Sequence, residues 1–476
     1  MKKVFEPKAI SLGDKKTIEG GRPEIELMME AAKACYSSIT WNEKVLIAVG
    51  KGNNGGDGFA IAVLLKKDDK DVHLLLGEEP STSAAKYYFE KCKKNGIPYS
   101  LYNKEQSFDY PDIVDCLFGI GFRGEAKEPY SSIIKAINNS SNSRVISVDA
   151  NSGLDLSNGL ANDAVKSDIT LSISALKPGY FLSKGMDYVG DIVELPLLDP
   201  VGEPYFLLEE KDVKSFFSPR KHFSNKGNYG YVGILGGSSL YPGAVKLAFM
   251  GQEALYAGCG VSKVLVPSSI KDKLYPYVLE TTIVPLKDED GFMVFDEESL
   301  EKETKSLKSI SIGMGWGQGK DNSKILSYLI THYEGRLLID ADGLNTLSKL
   351  DQNILLEKKG SIILTPHIKE FSRLSGYSVE EIFHSPITLA KEYAKKYGVT
   401  LLLKGPATII TDGDVVYLTA TGSSGMATAG SGDVLSGLSA GLLGYSKESD
   451  AYTMAVASYI NGLGGEMAED EFTSVS

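Results

Sequence analysis

The chain has 476 residues, 42 % of them hydrophobic and 24 % charged, which supplies full globular cores. Its 62 Asp and Glu against 50 Lys and Arg leave a formal charge of −12 and exclude the broad basic surface that nucleic acid or an anionic membrane requires. Four scattered cysteines without metal-ligand or redox spacing, no run of 18 apolar residues, and no apolar signal centre in residues 1–20 predict a cytoplasmic protein.

Taken in chain order, residues 45–49 predict a buried strand that ends in a Gly-rich turn, with a helix over 58–67 behind it. Strands follow at 72–76, 113–118, 145–148 and 169–173, with helices at 81–95 and 130–138 between them. Such alternation predicts a parallel sheet covered on both faces. Pro196, Pro200, Gly202 and Pro204 mark a linker over 195–204. A second alternating series then places strands at 231–235, 262–266, 309–312, 337–339, 361–364 and 400–403. A hairpin, 408–411 with 415–418, turns at Asp412 and Gly413, and the chain becomes helical from Gly432. The expected architecture is two α/β domains, 1–204 and 205–476.

Three loops of the first domain follow strands, where open α/β sheets carry their ligands. The first contains Asn53, Asn54, Gly55, Gly56, Asp57 and Gly58, and its glycines and helix start suit close approach of an anion. The second runs Asp115, Cys116, Leu117, Phe118, Gly119, Ile120, Gly121, Phe122, Arg123, Gly124. Its G-x-G-x-x-G spacing does not open a helix directly, because residues 125–129 intervene, so an ordinary hydride-transfer fingerprint is rejected. The third is Asp149, Ala150, Asn151, Ser152, Gly153, where Asp149 ends a strand and reads either as an acid–base carboxylate or as a turn aspartate.

Together these loops resemble the epimerase domain of NAD(P)H-hydrate repair enzymes, a Rossmann-like doubly wound sheet. The resemblance implies that Asn53, Asn54, Gly55, Gly56, Asp57, Gly119, Ile120, Gly121, Phe122, Arg123, Gly124, Glu125 and Asp149 hold the hydrated dinucleotide, with Asp149 catalytic. It also implies K⁺ near Asn54, Asp115 and Ser152, whose oxygen donors suit a hard cation.

In the second domain, Gly430, Ser431, Gly432 and Asp433 precede an apolar helix and form an oxyanion or phosphate cradle with a carboxylate beside it. Lys404, Gly405, Pro406, Ala407 and Thr408 follow a strand, as do Thr365, Pro366, His367 with Glu370, and Asp340 with Asp342. No Walker A motif occurs. With the glycine loop from Gly236 to Ala244 and Gly313, Met314, Gly315, this set resembles the ribokinase-like superfamily and, within it, the ADP-dependent NAD(P)H-hydrate dehydratases. The resemblance implies that Lys404, Gly405, Pro406, Ala407, Thr408 and Gly432 bind the nucleotide. It implies that Ala244, Gly315, His367 and Asp433 line the hydrate site, with Asp433 as catalytic base and Mg²⁺ on the phosphates.

The combined expectation is a bifunctional repair enzyme. It would interconvert the R- and S-hydrates of NADH and NADPH, then dehydrate the S form at the expense of ADP to give NAD(P)H, AMP and phosphate. The partners expected are these small molecules, with neither nucleic acid nor membrane, and a homo-oligomeric state. The alternative is a ribokinase-like small-molecule hydroxyl kinase with a non-catalytic nucleotide-binding first module.

Overall fold

The computed structural model describes residues 1–254 and 257–473, so positions 474–476 of the expected second domain lie outside the described residues. It divides into two compact units, Lys3–Pro204 and Met1–Lys2 with Tyr205–Ser476.

The first unit is built on seven strands: β1 (Lys44–Val49), β2 (Asp71–Leu76), β3 (Tyr99–Leu101), β4 (Asp112–Cys116), β5 (Arg144–Val148), β6 (Ile169–Ile173) and β7 (Asp191–Leu195). Their order is β3-β2-β1-β4-β5-β6-β7, parallel throughout. Five of the six residues of β1 are buried, the continuous apolar run that a strand covered on both faces needs. One face packs Ile47, Val49 and Phe59 into a core; the other packs Leu46, Ala48, Ile133 and Ile134. Strand order reverses at β1, so the loops after β1 and β4 diverge and leave a crevice at their carboxyl ends.

Among the elements not foreseen here are β3, β7 and the helices α1 (Pro7–Glu19) and α2 (Glu24–Ser38). The helix after β1, α3 (Asn53–Lys67), also starts five residues before the expected Gly58. Glycine disfavours helix locally, but packing decides here. A Cβ at Gly55 would lie 2.0 Å from the Gly50 carbonyl oxygen, so the first turn of α3 closes onto β1 only without a side chain.

The second unit carries β8 (Tyr205–Leu207), β9 (Tyr231–Leu235), β10 (Val261–Pro267), β11 (Thr282–Leu286), β12 (Ser309–Ile312), β13 (Arg336–Ile339), β14 (Ser361–Leu364), β15 (Thr400–Leu403), β16 (Thr408–Thr411) and β17 (Val416–Thr419). They lie in the order β8-β17-β16-β15-β14-β13-β12-β9-β10-β11. Strands β9 to β15 pair in parallel, while β16 returns antiparallel to β15 and β17 antiparallel to β16. Leu435, Leu438 and Leu442 of the helix Ser431–Tyr445 pack with Leu338, Ile363 and Leu402 in one core. The parallel register brings the loops after β9, β12, β13, β14 and β15 to one edge of the sheet.

Candidate active sites

In the first unit, the crevice is a cavity of about 520 Å³ lined by Asn53, Asn54, Asp57, Phe118 to Phe122, Asp149 and, from α1, Asp14. Beneath it the three residues expected around K⁺ form one network. Asp115 is fully buried and accepts hydrogen bonds from the Ser152 amide (2.8 Å), Ser152 Oγ (2.5 Å), Ser147 Oγ (2.8 Å) and the Leu117 amide (3.1 Å). Burial still pushes its carboxyl above the usual range, against those four bonds. Ser152 Oγ accepts from the Phe118 amide at 2.8 Å, and Asn54 Nδ2 donates to the Phe118 carbonyl at 2.8 Å. Asn54 Oδ1 is buried with no hydrogen-bond partner among the described residues. An open amide oxygen, joined through Phe118 and Ser152 to the Asp115 carboxyl, fits a hard monovalent cation.

Asp149 directly follows β5 and lies in the left-handed region, at φ 64°. Its Oδ1 accepts from Lys177 Nζ at 2.6 Å and from the Ile173 amide at 3.2 Å, and its carbonyl accepts from Tyr180 Oη at 2.7 Å. Lys177 is fully buried and also donates to Ser172 Oγ (3.2 Å) and the Ile173 carbonyl (2.9 Å). Burial pulls its ammonium down, but Asp149 and Tyr180 outweigh that and hold it above its usual value. Two further carboxyls line the same cavity. Burial, then Asp149, pushes Asp14 up to about 6, with Lys177 pulling the other way. Burial, then Asp149, Asp14 and Glu24, pushes Asp57 well up.

The structure does not bring every expected residue to this cavity. Gly55 and Gly56 are buried within α3. Gly124 and Glu125 stand outside the lining, and Glu125 is exposed and bonded to Asn162. Arg123 is occupied by its own loop: it donates to the Ile120 and Phe122 carbonyls and to Ser157 Oγ, and pairs with Asp155 at 3.3 Å. Sequence reasoning missed Asp14, Lys177 and Tyr180. The available signal for Lys177 was a lone lysine after the strand 169–173, between Leu176 and Pro178.

In the second unit, Gly430 caps the helix Ser431–Tyr445, and Asp433 sits in its first turn, where free amides and the dipole favour anions. Burial, then Asp340, pushes the Asp433 carboxyl up to about 6; Asp342 adds to this and Lys404 opposes it. Asp340, at the end of β13, accepts from Lys404 Nζ on Oδ1 (2.8 Å) and from Ser436 Oγ on Oδ2 (2.6 Å). A Cβ on Gly432 would stand 3.3 Å from Lys404 Nζ, so the ammonium borders the helix start. The Lys404 amide donates to the Pro366 carbonyl at 2.9 Å, tying the loops after β14 and β15 together. Gly405 and Pro406 are exposed, Ala407 is buried, and Thr408 opens β16.

His367 caps the helix Ile368–Ser375: its Nδ1 accepts from the Lys369 (3.1 Å) and Glu370 (3.2 Å) amides, and Glu370 Oε2 accepts from the His367 amide at 2.9 Å. Burial, then Lys404 and Arg373, lowers its pKa, so the ring is neutral with Nε2 as its remaining donor. Gly315, at φ 59°, adjoins Ala244: a Cβ there would lie 2.8 Å from Ala244 Cβ and 2.5 Å from the Tyr241 carbonyl oxygen. Among the described residues, no three His, Cys, Asp or Glu side chains could close round a metal ion. No helix, among the described residues, is long and apolar enough to cross a membrane.

Comparison with known proteins matches residues 232–476 to the family model described as NAD(P)H-hydrate dehydratase, and residues 24–179 to that of the YjeF-related protein N-terminus. The chain is 32 % identical to a bifunctional NAD(P)H-hydrate repair enzyme of Archaeoglobus fulgidus, over 95 % of this chain and 91 % of that one. It is likewise 32 % identical to the enzyme of that description from Escherichia coli K12, over 88 % and 80 %. Among solved structures, an ADP/ATP-dependent NAD(P)H-hydrate dehydratase from Bacillus subtilis, co-crystallised with ATP/Mg²⁺, matches 57 % of this chain and 92 % of its own, with 27 % identity and a TM-score of 0.50.

Proposed function

We propose a division of labour between the two units of this chain, which belongs to the bifunctional NAD(P)H-hydrate repair enzymes. The chain is an NAD(P)H-hydrate epimerase and a nucleotide-dependent NAD(P)H-hydrate dehydratase. Epimerisation belongs to the unit Lys3–Pro204, and dehydration to the unit that begins at Tyr205.

In the first unit Asp149, held by Lys177, is the acid–base carboxylate at C6 of the hydrated nicotinamide ring. Asn53, Phe118 to Phe122 and the α3 start hold the dinucleotide in the cavity. Asn54, Asp115 and Ser152 would hold K⁺, which would supply positive charge for the dinucleotide's anionic groups.

In the second unit Asp433 takes the proton of the C6 hydroxyl as its oxygen attacks the terminal phosphorus of ADP, and AMP leaves. The ring nitrogen's lone pair then expels phosphate from C6. Loss of a C5 proton restores NAD(P)H. Lys404 and the amides at Gly432 receive phosphoryl oxygens, while His367 Nε2, Ala244 and Gly315 border the hydrate. Mg²⁺ bound with the nucleotide would offset charge on the phosphates.

The observation that carries this reading is Asp433: a carboxyl raised to about 6, at a helix start bordered by the Lys404 ammonium. Incubation with (S)-hydrated NADH and ADP is expected to restore absorbance in the NADH band and release AMP and phosphate. A stable phosphorylated product, or no dependence on nucleotide, would overturn it.

A further inference from the structure

Inverting a carbon that carries a hydroxyl needs proton traffic at two places: the oxygen that leaves and the oxygen that arrives. Asp149 is one group on the cavity. Lys177 Nζ, 2.6 Å from its Oδ1, holds the carboxylate in position on the cavity wall to accept a proton. The donor must come from elsewhere on the cavity wall. Asp14 projects there from α1, outside the stretch 24–179 matched by the family model. Its side chain has no hydrogen bond or ion pair among the described residues; it lies in the fields of Asp149 and Lys177 and acts in turn on Asp57. Asp57, on α3, faces the same space, and Glu24 stands behind it.

We infer that Asp14 is a catalytic residue of the epimerase site, the acid that complements Asp149 as base. The inference rests on the assignment of epimerisation to this unit. Protonated Asp14 gives its proton to the C6 oxygen as the C6–O bond breaks. The N1 lone pair forms an N1=C6 double bond, and water leaves. A second water adds to the other face of C6, Asp149 takes its proton, and the N1=C6 electron pair returns to N1. Asp14 ends ionised and Asp149 protonated. The reverse epimerisation, with the roles exchanged, resets the pair, as does exchange with bulk water. The carboxyl of Asp14, pushed up to about 6, can both give and regain that proton near neutral pH.

The test uses the full chain with (R)-hydrated NADH in ¹⁸O-labelled water and no nucleotide, so the dehydratase is idle. Chromatography reads the R-to-S ratio, and mass spectrometry reads label at the C6 hydroxyl. Wild-type protein is expected to incorporate label as fast as it inverts, with a rate that falls above about pH 6. Asp14→Asn should lower both rates about 10²–10⁴-fold, lose that alkaline limb and keep its calorimetric affinity for the hydrate. Asp14→Glu should recover part of the rate, and it serves as the second variant should the first melt early. Full activity in Asp14→Asn, or loss of the alkaline limb in Asp57→Asn alone, would overturn the inference. Wild-type protein that inverts no hydrate would instead overturn the assignment of epimerisation.

Discussion

Lys177 Nζ lies 2.6 Å from Asp149 Oδ1, with the lysine fully buried and the aspartate 17 % exposed. Removing one member of such a pair strands the other charge in a poorly solvated place. Lys177→Met is therefore expected to cost about 3–5 kcal/mol by urea unfolding. It should also lower R-to-S conversion, because Asp149 loses the ammonium that holds its carboxylate in place. Wild-type-like stability with normal conversion would show that the pair does neither.

Asp433 ties a gain in stability to a loss of function. Its folded carboxyl is pushed up to about 6, above the ordinary aspartate value of 3.8, so folding favours the protonated form. That advantage is fully present below the unfolded value and is lost as pH rises through 6. Asp433→Asn cannot ionise. Its melting temperature should match wild type near pH 3.5 and exceed it at pH 8, while S-hydrate dehydration falls about 10²–10⁴-fold. A variant less stable at pH 8 than at pH 3.5, relative to wild type, would contradict the buried-carboxyl account.

What the sequence disclosed, and what it hid, follows from range. The turn from Gly50 to Asp57 and the loop from Gly430 to Asp433 were legible because strand-to-helix turns carry local glycine chemistry. The start of α3 was misplaced because the reason for glycine at 55 is the Gly50 carbonyl, a contact that local helix preference does not register. Lys177 was invisible for the same reason: its burial depends on Asp149, from another strand, and a lone lysine reads as a surface residue. Arg123 failed in the opposite direction. It resembles an anion contact in sequence, but Asp155 and three loop oxygens absorb its donors.

If K⁺ occupies the proposed place at the unpartnered Asn54 Oδ1, the first unit should respond to potassium. Raising KCl against choline chloride at fixed ionic strength is expected to raise the melting temperature, as any ligand of the native state does. Asn54→Ala should lose that dependence, and its epimerase rate should no longer respond to K⁺. A melting temperature in wild type that ignores the exchange would remove K⁺ from this site.

Gly315 and Gly464 should answer the same substitution with opposite signs. At Gly315, φ is 59° and an added Cβ would lie 2.5 Å from the Tyr241 carbonyl oxygen, which is backbone and cannot swing aside. Gly315→Ala is expected to cost about 1–3 kcal/mol and to raise KM for the hydrate, since the wall shared with Ala244 must shift. At Gly464, inside the helix Asp450–Phe472, nothing lies within 4 Å of the new Cβ. Gly464→Ala should stabilise by about 0.5–1 kcal/mol through lost unfolded-state entropy, with KM unchanged. Paired denaturant curves and initial rates of S-hydrate dehydration read both effects. Equal responses at the two positions would mean that the close approach at Gly315 does not shape the hydrate site.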